Sequence, residues 1–382
     1  MRKKVLFFAD GLYGGGAEKV LQTLLQHLDK DKFEITLYSM KQEALNDLYP
    51  QDINYHYVFS SCSESASVWK KLRVCCLNKI KLFVYYHLSP TWFYRLFIKG
   101  EYDTEVAFIE GYATRIVSGS TNPKSKKIAW VHIDLEQNHW TRIAFQSLNE
   151  EDKVYQKFDL VCAVSKTVSD VTQKLFPNIR QSLVIYNPID EQQIVKKSME
   201  TFHNDKWIQS NITFISVGRL VHQKGYDRLL PIFKRLVNEG YPISLNILGT
   251  GTNKEKLEAY IGENNLSEYI SLLGYVNNPY PYMVKSDIFV VSSRSEGFST
   301  VVSEALILGM PIVSTFCAGM DELLGSKSEY GILTKNDSKS LYLGIKKILD
   351  DRLLYTSYRE KARRRGERFK IKYLMQSIEN IL

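Results

Sequence analysis

Ser295-Glu296-Gly297-Phe298-Ser299-Thr300-Val301-Val302-Ser303-Glu304-Ala305-Leu306-Ile307-Leu308-Gly309-Met310-Pro311 lies between two apolar runs. Asp287-Ile288-Phe289-Val290-Val291 precedes it, and Pro311-Ile312-Val313-Ser314 follows. Both runs read as strands, and Thr300 to Leu308 reads as a helix between them. Ser299 or Thr300 can cap its start, and Gly309 stands where a left-handed stop is wanted. The helix is almost wholly apolar yet carries Glu304. Burying an unpaired carboxylate beside a sheet costs on the order of several kcal/mol, so a partner is expected for it. A second acid, Glu296, sits at the strand-to-helix turn, where open parallel sheets bind ligands. A capping acid plus a solvated helix acid is the plain alternative; it suits Glu296 and does not suit Glu304.

Outward from this stretch the chain alternates strands and helices. Strands are predicted at 4–9, 34–39, 105–109, 128–132, 159–164 and 183–186, then at 212–217, 243–248, 270–273, 287–291 and 311–314. Helical stretches lie between them, among them 17–28, 168–176, 226–238 and 253–264. This order implies parallel, doubly wound sheets. A length of 382 residues exceeds one comfortable core, so two domains are expected. The boundaries read as a first domain over 1–190, a polar linker over 191–210, a second domain over 211–358 and a closing helix over 359–382.

The two acids with seven residues between them resemble the signature of retaining glycosyltransferases of family 4, an α/β family of the GT-B fold. GT-B implies two Rossmann-like domains facing a cleft. In that family the second acid, here Glu304, holds the ribose of a sugar nucleotide, and the first, Glu296, contacts the transferred sugar. The resemblance extends along nearly the whole chain, and it implies that the closing helix over 359–382 can cross back onto the first domain, as the C-terminal helix often does in that family. Gly297, Phe298, Ser299 and Thr300 fall in the same donor-binding turn. Val217-Gly218-Arg219-Leu220-Val221-His222-Gln223-Lys224-Gly225 matches the family's Gly-Arg…Lys-Gly pattern, whose cations bind the diphosphate. The residue chemistry agrees, since Arg219 offers a planar fork for phosphate oxygens and Lys224 a mobile point charge. A solvated basic turn is the alternative for so short a motif.

Other matches are weaker in kind. Gly11-Leu12-Tyr13-Gly14-Gly15-Gly16-Ala17-Glu18 joins the first strand to the first helix without forming a Walker motif. Its Gly15 and Gly16 resemble the family's glycine-rich entry near the donor phosphates, and Glu18 is left open. His132 ends a strand, and the family places a donor-contacting His near there; a structural His is an equal alternative. Gly249-Thr250-Gly251 resembles the Gly-x-Gly nucleotide turn but departs from it after Gly251, with Thr252 and Asn253 in place of Pro. From Gly319-Met320-Asp321-Glu322 the resemblance carries over Gly319 and Glu322. Asp29-Lys30-Asp31 has an Asp-x-Asp form but reads as an exposed helix end. No metal or cofactor is expected, the cations and helix dipoles standing in for a metal.

The formal net charge is +8 and is unevenly placed. From Val68 to Gly100 there are seven Lys/Arg and no acid; Arg359 to Lys372 carries eight Lys/Arg against two acids. Together these segments carry +13, leaving −5 for the rest, so the basic character is two patches in want of a partner. Across 68–100 the cations alternate with Trp69, Leu72, Leu77, Phe83, Tyr85, Tyr86, Trp92, Phe93 and Phe97. That pattern suits an anionic membrane surface, or a helix pair with a wet basic face. No nucleic-acid module accompanies it, and nucleic acid is not expected as a partner. The five cysteines, odd in number and without a CxxC pair, argue for a reducing compartment. The basic N-terminus leads into an apolar run ending at Asp10, which reads as a strand and not a signal peptide. The expected enzyme is cytoplasmic and takes a UDP-linked sugar and a glycan or lipid-linked acceptor. An epimerase-type relative and a catalytically silent sugar-nucleotide scaffold are the alternatives.

Overall fold

Each alternating series builds one parallel sheet in the computed structural model, which describes residues 1–45, 49–63 and 65–382. The first sheet contains β1 (Lys3–Ala9), β2 (Phe33–Lys41), β3 (Asn54–Phe59), β4 (Thr104–Ala107), β5 (Lys126–Val131), β6 (Leu160–Ala163) and β7 (Ser182–Val184), in the order β3-β2-β1-β4-β5-β6-β7. The second contains β8 (Ile212–Val217), β9 (Ile243–Leu248), β10 (Ile270–Gly274), β11 (Ile288–Val291), β12 (Ile312–Thr315) and β13 (Ile332–Thr334), in the order β10-β9-β8-β11-β12-β13. The strands pair in parallel throughout. Helices cover both faces, which is why central strands such as Val5-Leu6-Phe7-Phe8-Ala9 are apolar without alternation and fully buried. Strand order reverses between β1 and β4 and again between β8 and β11. Chain leaving the carboxyl ends there opens a crevice for ligands.

The chain divides into two compact units, Met1–Pro188 with Lys372–Leu382, and Ile189–Ile371. The second unit's core gathers Phe214, Leu229, Phe233, Leu245, Ile247, Val290, Val313, Leu341 and Ile345. Four features differ from the expectation. β3 and β13 were not predicted: the edge strand β3 buries only Val58, and β13 has three residues, so neither carries a hydrophobic pattern long enough to read. The stretch expected as an irregular linker contains the helix Glu191–Ser198, whose start is capped by Asp190 accepting from the Gln193 N–H at 2.8 Å. The single closing helix is two helices, Arg352–Gly366 and Ile371–Glu379. The second of these belongs with the first unit. Met375, Ile378, Ile381 and Leu382 are buried, Lys32 meets Glu379 at 2.8 Å, and Lys126 donates to the Ile381 carbonyl at 2.7 Å. No helix among the described residues is long and apolar enough to cross a membrane.

Candidate functional site

In the second unit the two loops at the β8/β11 switch point are bound to each other. Chain leaving β8 runs through Gly218 and Arg219 into a short 3-10 turn, His222–Lys224, and then into the helix Tyr226–Asn238. Gly249, at the end of β9, lies so close that a Cβ there would be 2.0 Å from the Gly218 carbonyl oxygen. Only a glycine lets the Gly249 turn approach that far. Lys224 Nζ reaches Glu296 Oε1 at 2.6 Å, and Ser293 Oγ donates to the same oxygen at 2.6 Å. The Lys224 and Glu296 side chains are 17% and 10% exposed. Arg219 is exposed, and its side chain makes no ion pair among the described residues.

Two arginines not singled out by sequence fasten this arrangement. Arg228 donates to the Ser292 and Ser293 carbonyls at 2.9 and 2.7 Å and to Asn336 Oδ1 at 2.6 Å. Arg294 holds Asp227 with a two-pronged fork at 2.7 Å on each arm, which keeps the Asp227 carboxyl below its usual range. Cys317 is buried beside the same loop, and burial with the neighbouring Glu296 charge pushes its thiol up to about 12. Its thiol donates to the Ser293 carbonyl at 3.1 Å, so it stands there as a buried structural group and not a nucleophile.

The helix Thr300–Ile307 follows, with Ser299 at its N-cap. Ser299 makes no side-chain cap, and its buried Oγ has no hydrogen-bond partner among the described residues. Gly309 takes the left-handed stop at φ +69°, with Met310 N–H bonded back to the Ala305 carbonyl at 2.9 Å. Glu304 is 2% exposed, and Tyr280 donates its hydroxyl to Glu304 Oε1 at 3.3 Å. The partner demanded by a buried carboxylate thus includes a tyrosine from the short helix Tyr280–Lys285. Gly297 and Phe298 are buried within the turn, and Thr300 is half-buried at the helix start.

Gly319, at φ +73°, starts the five-residue helix Met320–Leu324, which places Glu322 half-buried in its first turn. Arg365 donates to the carbonyls of Glu322 and Leu323, with its guanidinium over the Tyr330 and Phe369 rings at 5.1 and 5.6 Å. Its own helix, Arg352–Gly366, packs against Thr300–Ile307. A Cβ on Gly366 would sit 2.4 Å from the Leu306 carbonyl oxygen. One helix therefore braces both the Glu304 and the Glu322 elements.

The first unit brings a different group to its own switch point. Gly15 caps the helix Gly16–His27, and Glu18 folds back over it. After β1, Asp10 accepts from the Ala113 N–H at 2.9 Å; burial, then the charges of Glu110 and Glu18, raise its carboxyl well above the usual range. After β4, Glu110 accepts from the His132 N–H at 2.8 Å and from the Trp140 indole at 3.3 Å, and burial lifts it to about 7. His132 is 8% exposed, packed against Phe108 and Trp130, and burial lowers its imidazole to about 4. Its Nε2 has no partner among the described residues. Asp10 and Glu110 were missed by sequence reasoning; the available signal was an acid directly after each of two apolar strands. Asp29 is engaged by Lys32 at 3.1 Å and by the Asp31 N–H at 2.9 Å at a helix end, as a structural turn.

The family model for glycosyl transferases group 1 matches residues 198–365. The chain is 30% identical over 390 positions, covering 100% of both proteins, to N-acetylgalactosamine-N,N'-diacetylbacillosaminyl-diphospho-undecaprenol 4-alpha-N-acetylgalactosaminyltransferase of Campylobacter jejuni. It is 26% identical to the capsular polysaccharide biosynthesis glycosyltransferase CapM of Staphylococcus aureus, over 48% of this chain and 49% of that one. Anabaena HepE in complex with UDP and glucose superposes with a TM-score of 0.75 at 19% identity, over 99% of each chain.

Proposed function

On the premise that the chain belongs to the glycosyl transferases group 1 family and has the GT-B fold, we propose that it is a retaining, metal-independent glycosyltransferase. It moves a hexose-type sugar from a UDP-linked donor to a hydroxyl of a glycan on a lipid diphosphate anchor, in surface polysaccharide assembly. The full-length likeness to an enzyme whose name specifies a diphospho-undecaprenol acceptor supports that acceptor class. The observation that carries the donor assignment is the clustering at the β8/β11 switch point. There Lys224 and Glu296 are joined at 2.6 Å, Arg219 is exposed on the adjoining loop, and Glu304 is buried in the next helix.

In this reading Arg219 and Lys224 neutralise the diphosphate as the bond between sugar C1 and phosphate oxygen breaks. N–H groups at the start of Thr300–Ile307 add to that charge stabilisation. The acceptor oxygen bonds to C1 on the same face, and its proton passes to an oxygen of the departing diphosphate. No protein base is required. Glu304 holds the ribose and Glu296 the sugar hydroxyls, with Gly218, Gly249, Gly297, Phe298, Ser299, Thr300, Gly319 and Glu322 lining the donor. In the first unit Gly15 and Gly16 approach the phosphates and His132 the sugar. The enzyme works at the cytoplasmic face of the membrane, with segment 68–100 toward the lipid.

The test is thermal stabilisation by a panel of UDP- and GDP-sugars in EDTA. One UDP-sugar raising Tm is the expected result. No shift from any nucleotide, with a folded protein, overturns the donor assignment; a shift that requires a divalent cation overturns metal independence.

A further inference from the structure

The helix Val68–His87 is attached to the first unit along one narrow side. Asn78 donates to the Ser60 carbonyl at 3.0 Å, Lys81 turns inward to the Val58 carbonyl, and the Tyr85 hydroxyl donates to the Ala144 carbonyl at 2.9 Å. With the half-buried Val74 these residues repeat every three or four positions, so they share one side. The opposite side carries Trp69, Leu72, Cys76, Ile80 and Phe83, also spaced by three and four. On a wheel of about 100° per residue the two groups are centred about 170° apart. Trp69 is 83% exposed, Leu72 51%, Ile80 55% and Phe83 59%. The next helix, Pro90–Phe97, adds Trp92 at 53% and Leu96 at 45%. Exposed Arg73 and Lys79 flank the stripe at about 60° on either side, exposed Lys70 and Lys71 stand farther round toward the attached side, and no acid occurs from Val68 to Gly100.

An exposed apolar stripe of this extent is a contact surface. What covers it must be apolar at its centre and negative at its edges. A second copy of the helix meets the first requirement and fails the second, because it opposes cations to cations with no acid to pair them. A nucleic acid meets the second and leaves Leu72, Ile80 and Phe83 against phosphate and water. An anionic bilayer meets both: acyl chains receive the stripe, and headgroup phosphates receive the flanking cations.

We propose that this helix is a membrane-docking element, lying in the plane of an anionic bilayer with Trp69, Leu72, Ile80 and Phe83 inserted. It deepens the membrane-facing reading of segment 68–100 given above and rests on it. The experiment uses the full chain with phosphatidylglycerol/phosphatidylethanolamine vesicles and with pure phosphatidylcholine vesicles, in a flotation assay. Two variants accompany it, Trp69→Ser/Ile80→Ser/Phe83→Ser and Lys70→Gln/Lys71→Gln/Arg73→Gln/Lys79→Gln. The wild type is expected on the anionic vesicles, at least tenfold more weakly on the neutral ones. Each variant is expected to lose at least tenfold of that binding while keeping the wild-type Tm and its nucleotide-induced shift. If the wild type floats and the Ser variant floats equally well, this helix is not the contact and the proposal falls, while the membrane-facing reading survives. If the wild type does not float, both fall. A wild-type dimer that the Ser variant converts to monomer assigns the stripe to a second copy and also overturns the proposal.

Discussion

Arg219 and Glu304 differ in exposure, and their roles should separate in kinetics. Glu304 is buried and held before any ligand arrives, whereas Arg219 is exposed with no ion pair among the described residues. We expect Glu304→Ala to weaken donor binding tenfold or more. Arg219→Ala should lower kcat by about 100-fold, the scale of losing one charge-stabilising donor. Unchanged donor affinity and rate in both variants refute these roles. The buried neighbours Glu110 and His132 give a second expectation. Folding favours the neutral form of Glu110, so its contribution is complete below pH 4.5 and is lost as pH rises through about 7. Folding also favours neutral His132, whose contribution is complete above pH 6.5 and is lost as pH falls through about 4. Each shift is worth about 3 kcal/mol, and the two oppose each other over most of the range. Wild-type stability should therefore vary less with pH than either variant. Glu110→Gln should weaken on acidification from pH 6.5, and His132→Asn on raising the pH from 4.5, as read from urea midpoints. Midpoint curves parallel to wild type contradict the assignment. The need for a partner at Glu304 was legible because a lone acid interrupted an apolar helix. The partner itself, Tyr280, was not, since nothing local links a tyrosine at the start of one short helix to an acid 24 residues later in another.

At the scale of elements, the helices that follow apolar strands were readable, and the ones that matter through packing were not. Gly309 announced its stop because a left-handed residue after an apolar helix has a chemical signature. Arg352–Gly366 read only from 359 on, as the basic start of a closing helix. Its function in the fold lies in Gly366, which lets two backbones meet, and in Arg365, which caps carbonyls 42 and 43 residues away. We expect Gly366→Ala to destabilise the second unit by roughly 1–3 kcal/mol, the cost of overpacking against rigid backbone. It should also raise the donor KM by moving the Glu304 helix, with kcat less affected. Donor affinity equal to wild type in a folded Gly366→Ala protein would show that the packing does not set the site. β3 and β13 were missed because an edge strand and a three-residue strand have too little buried side to leave a pattern.

For the whole molecule, alternation of apolar strands and helices sufficed to give two parallel sheets, because strands buried on both faces are mainly apolar, with few polar residues such as Glu105 and Asn246 to blur them. The return of the last residues to the first unit was implied only by the family resemblance and not by the residues: one amphipathic helix looks alike whichever core receives it. Removing 372–382 strips Met375, Ile378, Ile381 and Leu382 from that core. At roughly 1.5–3 kcal/mol each, the loss rivals a domain's whole stability. Calorimetry of the truncated chain should show the first unit's transition abolished or sharply lowered, with the second unit's retained. Two transitions at wild-type temperatures contradict this. The same threading has a consequence for biosynthesis. A chain emerging vectorially from the ribosome normally completes its leading domain first. Here the leading sheet is translated early, but the segment that seals its core emerges only after the whole second unit. The second unit is thus the first to be complete, and the nascent leading unit must wait with an unsealed apolar surface while more than half of the chain is still to be made.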